Sequence, residues 1–437
     1  MRSRVLIRMA FAMAAFAALA SCSKEAKDTA GPAIKPPASE DLSVIQVSKD
    51  DWPWWRGTNH DNVSRSEKEP PTQWSEAENI LWKTPIPGIG HGTPCLWGDR
   101  IFLPTADEKT KTQYLLCLDR RKGRILWQKK IHQGDFVDRN PRNSQASSSP
   151  ACDGVYVYAA FANRKAIWLY ALDFNGNIAW ETRLGDYYSK WGLAASPVLC
   201  QSRVIVICDG IHDSFIAAAH RRTGEIVWKT NRPCFEEGGT YATPTLGRVA
   251  GRDQLLVHGP DNIFSYDPAG GSVVWTCAGP SAAAVATMAF DAELAYATGG
   301  YPQFNIMAVR ANGAGDVTSS AVVWKNPKIC SYVPSLLLYE GLLYMLGDAG
   351  RLMCFEAQTG NCVSDSRLKG PFWASPVCAN GYIYAANEAG RTYVLKAGPQ
   401  CEPLAGNDLA EGCFATPVIC AGRVYLRTLR SLYCIGR

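Results

Sequence analysis

Apolar residues fall in short runs along most of this chain, and polar turns with a recurring punctuation separate the runs. In Cys117 to Trp127 (CLDRRKGRILW) an apolar strand end meets Asp119, a polar turn carries Gly123, and a second strand closes on Trp127. Asp bonds its own backbone in a turn and Gly accepts a positive φ, so the stretch predicts a β-hairpin. The phrase returns as Ala218 to Trp228 (AAHRRTGEIVW) and Ser265 to Trp275 (SYDPAGGSVVW). Ala171 to Trp180 is one residue shorter, and Cys354 to Ser364 keeps the frame with Ser in place of Trp. Self-similarity of this kind predicts a repeat architecture.

Eight unit starts frame the phrases, most of them a small residue, Ser or Thr, Pro and an apolar run. They centre on Pro94, Pro150, Pro197, Pro244, Met288, Pro334, Pro376 and Pro417, with steps of 41 to 56 residues. Each unit then supplies a second and a third apolar strand and the hairpin. Four short strands per ~45 residues predict a blade of a β-propeller. The eighth unit, from Thr416, stops after its third strand, whereas Ile80 to Ile86 reads as a fourth strand without a beginning. The expectation is an all-β, eight-bladed propeller of four-stranded antiparallel blades over residues 80–437. Pairing of the N-terminal strand with the C-terminal strands closes it and removes two open sheet edges. The fifth unit departs by an insertion, Ala311 to Ser320, and the seventh by a weakly patterned end, Lys396 to Leu404.

This pattern resembles the quinoprotein (PQQ-like) repeat, in which a Trp docks between a small residue of its own blade and the turn glycine of the next. The small positions are Cys117, Ala171, Ala218, Ser265 and Cys354; the glycines are Gly123, Gly176, Gly224, Gly271 and Gly360. Trp54-Trp-Arg-Gly57, Asn143 to Ser147 and Asp213-Ser-Phe215 also resemble phrases of bacterial exported PQQ-like proteins. Such repeats occur in dehydrogenases that use pyrroloquinoline quinone (PQQ) with Ca²⁺. They also occur in non-enzymatic proteins such as the propeller lipoprotein BamB. The resemblance implies the fold and leaves the biochemical role open.

Charge adds little. The formal +5 of the 437 residues includes Arg2, Arg4 and Arg8, whose loss with a leader would leave +2. No basic run argues for nucleic acid. Residues 1–21 have a basic start and an apolar run from Met9 to Ala20, the order of a secretory signal. Leu19-Ala-Ser-Cys22 resembles the lipobox of bacterial lipoproteins, which implies lipid on Cys22 and a membrane anchor. Ser23 after it fits sorting to the outer membrane, on its periplasmic face. Residues 22–50 are polar and Pro-containing, and read as a flexible tether. Residues 51–79 open with Trp52, Trp54 and Trp55, read as a lid over one end of the domain, with ligand stacking as the other reading.

Cysteine usage looks structural, because many of the 16 fall on first or third strands as small buried hydrophobes. A bridge such as Cys401–Cys413 is left open. The adjacent cysteine pair that resemblance to PQQ dehydrogenases would require is missing. So are Cys-x-x-Cys-His and His-Glu-x-x-His, and no residue reads as catalytic. No cofactor is expected, with PQQ and Ca²⁺ as the alternative, and no metal set is seen. Ligand candidates sit at the channel mouth, three residues before each unit anchor: His91, Tyr241, Trp373 and Phe414, with Trp191 close by. Longer loops add Asn143, Arg232 and Glu237. Glu236 and Glu237 share one loop and do not define a glycosidase pair. The reading as a whole is a membrane-anchored, non-catalytic scaffold for an unidentified envelope protein. A PQQ-dependent oxidoreductase and a glycan-binding module are the alternatives.

Overall fold

The structure is a computed structural model, described here for residues 44–234 and 240–437. The leader, Cys22, most of the tether, Glu236 and Glu237 lie outside the described residues. The strands form eight sheets, and no helix occurs among the described residues. In the first blade the strands Cys95–Trp97, Arg100–Asp107, Thr112–Asp119 and Ile125–Gln133 pair in order as an antiparallel meander. Eight such sheets around one axis make the eight-bladed propeller that the repeat predicts.

Closure is as expected. Ile80–Pro85 pairs antiparallel with Ser431–Ile435, so that Trp82 faces Cys434 and Lys83 faces Tyr433. The two ends of the propeller chain share one sheet, in which Ile80–Pro85 is the outer strand and covers the edge of Ser431–Ile435.

Each Trp of the phrase lies opposite its small residue: Trp127 on Cys117, Trp180 on Ala171, Trp228 on Ala218. Its ring then covers the next blade's turn. A Cβ on Gly224 would come within 2.6 Å of Trp180, and one on Gly123 within 2.5 Å of Trp82. Both glycines have positive φ, so backbone and packing independently require Gly at these turns. The indole N–H groups of Trp82, Trp127, Trp180 and Trp324 donate to backbone carbonyls of the following blade. A bulge follows the small residue in each of these hairpins, for example between Cys117 and Leu118.

Two departures have their own solutions. The insertion in the fifth unit contributes Gly315–Asp316, which pairs parallel with Val273–Ala278 and makes the fourth blade five-stranded. The expectation of four strands therefore fails there, because this strand takes the place of a glycine turn over Trp275. Trp275 is fully buried, and its N–H reaches Gln254 Oε1 at 2.7 Å. In the sixth blade, Ser364 occupies the Trp position, and Cys401 of the seventh blade packs beside it, Sγ 3.9 Å from Oγ. Cys401 thus belongs with Cys354 in one core cluster, away from Cys413. The cysteines of the described residues are free thiols. The weakly patterned stretch Lys396 to Leu404 already enters regular pairing at Pro403, where Pro403–Asp408 begins as the fourth strand of the seventh blade.

The segment 51–79 crosses the ring. Trp52 bridges Leu96 of the first blade, and Pro53 accepts from the Cys152 amide of the second. Trp55 donates to Thr287 of the fifth blade, Arg56 to the Leu336 carbonyl of the sixth, and Asn62 to the Pro376 carbonyl of the seventh. Trp52 and Trp54 are buried, as a lid requires, whereas Trp55 is only half-buried and faces inward.

Candidate functional site

A Ser or Thr beside each unit anchor, before it in seven units and after Pro334 in the sixth, enters the channel from every blade: Thr93, Ser149, Ser196, Thr243, Thr287, Ser335, Ser375 and Thr416. These side chains stitch neighbouring blades together. The Thr93 amide donates to Ser149 Oγ at 2.9 Å, Ser149 to Ser196 at 2.9 Å, and Ser196 to Thr243 at 2.9 Å. Likewise Thr287 donates to Ser335 at 2.9 Å, Ser335 to Ser375 at 3.0 Å, and Ser375 to Thr416 at 3.0 Å. A hydroxyl serves because it accepts one amide and keeps a proton of its own to donate.

Trp55 meets this belt, its indole N–H 3.1 Å from Thr287 Oγ1, and the crossing segment closes the channel at that level. What remains is a blind well of about 450 Å³, within the usual size of small-molecule sites. Six of the eight candidates line it: His91, Asn143, Trp191, Tyr241, Trp373 and Phe414. Tyr332, Asp348, Asn140 and Arg142 complete the wall.

The aromatic residues form a continuous wall over the seventh, eighth and first blades. Trp373 lies 5.8 Å from Phe414, and Phe414 stacks on His91 at 4.7 Å. The Trp373 N–H is held by Glu388 Oε2 at 3.1 Å, and the Arg142 guanidinium lies 5.4 Å over its ring. Burial, with Arg427 and Arg139 nearby, pushes the His91 pKa down to about 3, so the imidazole is neutral and packs as an aromatic. Asp348 is fixed by the amides of Tyr332 (2.8 Å) and Val333 (3.1 Å), and burial raises its pKa.

A family model described as Outer membrane protein assembly factor BamB matches residues 72–186 and 111–366. The chain belongs to this family. Among solved structures, BamB from Moraxella catarrhalis is 15% identical, with a TM-score of 0.60 over 82% of this chain and 99% of that one. The quinohemoprotein alcohol dehydrogenase from Comamonas testosteroni is 13% identical, with a TM-score of 0.62 over 89% of this chain and 81% of that one. At such identities these likenesses show the shared propeller fold and nothing finer. A search of curated proteins gives no match.

Members of the BamB family and the quinone enzymes share this ring, so the lining has to discriminate. PQQ is a tricarboxylate that is held with a divalent cation. The wall offers it the carboxylate of Asp348 and one guanidinium, Arg142, which lies 3.8 Å from Glu388. Among the described residues no group of three or more His, Cys, Asp or Glu could hold a metal ion. The donor set of the wall does not fit that cofactor.

Arg232 does not reach the well. It is fully buried and forms a two-pronged pair with Asp209, at 2.8 and 3.0 Å, while also donating to Tyr266 and the His258 carbonyl. Its place in the sequence, beside a mouth loop, gives no sign of this partner, because Asp209 lies on another strand. Arg232→Ala is expected to cost about 3–5 kcal/mol by leaving the Asp209 carboxylate buried and uncompensated. A denaturant midpoint measures the loss, and Asp209→Asn in the same chain should recover part of it.

The belt and the floor escaped the sequence reading. The signal was present in the Ser or Thr beside each anchor, which reads as a strand-start preference until the ring brings the hydroxyls together. Trp55 differs from Trp52 and Trp54 only in the direction it faces, which spacing does not reveal.

Proposed function

We propose that this chain is a membrane-tethered, non-catalytic scaffold of the cell envelope that presents the mouth face of its ring to another envelope protein. One observation carries the reading. The exposed aromatic residues Tyr188, Trp191, Tyr301 and Phe304, at 39%, 41%, 52% and 54% exposure, all stand on mouth-side connections. Aromatic side chains on a polar rim are the usual anchors of protein interfaces. The crossing segment occupies the opposite end, which leaves the mouth as the accessible face. Membership of the BamB family and the lipobox-like Leu19 to Cys22 agree with an envelope location and a lipid anchor.

Cross-linking in native envelopes, followed by capture of the full-length protein, tests the proposal. A discrete envelope protein should co-purify, and Tyr301→Asp with Phe304→Asp should abolish its capture without shifting thermal unfolding. Recovery of the protein alone after cross-linking would overturn the scaffold reading.

A further inference from the structure

We infer that the well behind the mouth is a binding site for a neutral sugar ring of the pyranose class. The inference goes beyond the scaffold reading, since the sugar sits against the inner wall and the partner against the outer rim.

Four features of the wall select this chemistry. First, an aromatic wall is already in place. Trp373, Phe414 and His91 form contiguous ring surfaces, and Glu388 and Arg142 hold Trp373 from its edge and one face. A pyranose offers an apolar C–H face that packs on such rings, and a wall ordered beforehand lowers the entropy lost on binding.

Second, the depth of the well is lined with hydroxyls, and those of Ser149, Ser196, Thr243, Ser335, Ser375 and Thr416 each accept an amide, which leaves their protons for a ligand oxygen. A purely apolar occupant would strip water from these groups and return nothing, a cost of about 1–3 kcal/mol per group left unpaired. A polyhydroxylated occupant replaces that water group for group.

Third, the electrostatics favour neutrality. Asp348 faces the well and can accept from a sugar hydroxyl, but it repels a carboxylate. Arg142 is the wall's guanidinium, and Glu388 stands beside it. Fourth, about 450 Å³ suits one or two sugar rings.

The test titrates the full-length, detergent-solubilised protein with cellobiose and chitobiose, with PQQ as the anionic probe, by calorimetry and tryptophan fluorescence. One of the two neutral disaccharides should bind saturably, whereas PQQ should bind at least tenfold more weakly. Trp373→Ala should weaken sugar binding at least tenfold with unchanged thermal unfolding, and Trp373→Phe should restore most of it. Asp348→Asn should narrow the preference for neutral over anionic probes. Absence of saturable binding by both disaccharides, equal binding of PQQ, or indifference to Trp373→Ala would each overturn the inference. Capture of an envelope partner reads out separately, so the failure of one proposal is distinguishable from the failure of the other.

Discussion

A chain shortened to begin at Ile86 is expected to lose its cooperative fold, whereas one that begins at Val44 keeps every described contact. Loss of Ile80–Pro85 strips the partner from Ser431–Ile435 and leaves the eighth blade three-stranded with a bare outer edge. It also removes Trp82 from the Gly123 turn, and the Lys83 ammonium from Glu411 (3.0 Å) and the Tyr433 ring. Trp52 and Trp74 go too, both buried in the same cluster as the eighth blade. Each large aromatic is worth about 3–5 kcal/mol, so three of them rival a typical total stability of about 5–15 kcal/mol. Size-exclusion chromatography and a thermal scan decide the matter. A monomer that melts cooperatively near the midpoint of the longer chain would show that closure does not hold the ring together.

Acid should unfold the protein well above the pH at which carboxylates alone would do so. Burial pushes the pKa of His60 and His258 down to about 3 and that of His132 to about 4, with Arg56, Arg232 and Arg164 adding to the effect respectively. All three are nearly inaccessible; His60 stacks on Trp54, and His132 meets the Tyr170 hydroxyl at 3.0 Å. The folded ring therefore keeps them neutral, while the unfolded chain protonates them below about pH 6.5. Their contribution is fully present above that pH and is lost as the pH falls toward 3–4. Together they remove on the order of 4 kcal/mol per pH unit. Asp61 and Asp348, whose pKa values burial raises, act in the opposite sense, because they take up protons more readily when folded. Denaturant midpoints at pH 7.5 and pH 4.5 should differ steeply, and a flat profile would mean that water reaches these imidazoles in the folded state.

Much of the architecture was readable before any coordinates, because each blade repeats one local grammar. Trp lies opposite a small residue, and Gly waits in the next turn; both follow from steric needs within a few residues. Ser364 and Trp275 mark where that grammar stops. In the first, a neighbouring blade supplies Cys401; in the second, an insertion supplies a fifth strand. Neither repair could be read from spacing, since each depends on contacts between units. The aromatic candidates His91, Trp373 and Phe414 were found because their position in the repeat places them at the mouth. Arg232 was misjudged because a charge beside a loop looks solvated until its partner is seen, and Asp348 was missed because it follows a second strand that the anchor rule does not sample.

The stitching of the inner hydroxyls has a geometric consequence. Six like hydrogen bonds run through two arcs, one over the first four blades and the other over the last four. The two seams without this bond lie diametrically opposite each other, and at each a hydroxyl donates to a carbonyl of the adjoining blade instead, Thr245 to Met288 and Thr93 to Thr416. At one, the added strand Gly315–Asp316 ties the blades at their periphery, and Trp55 takes up the Thr287 hydroxyl. At the other, Arg120 reaches the Tyr425 hydroxyl at 3.2 Å, and Arg427 reaches the Pro104 carbonyl at 2.5 Å. The toroid thus has six like inner joints and two differently built ones, set at the two ends of a single diameter.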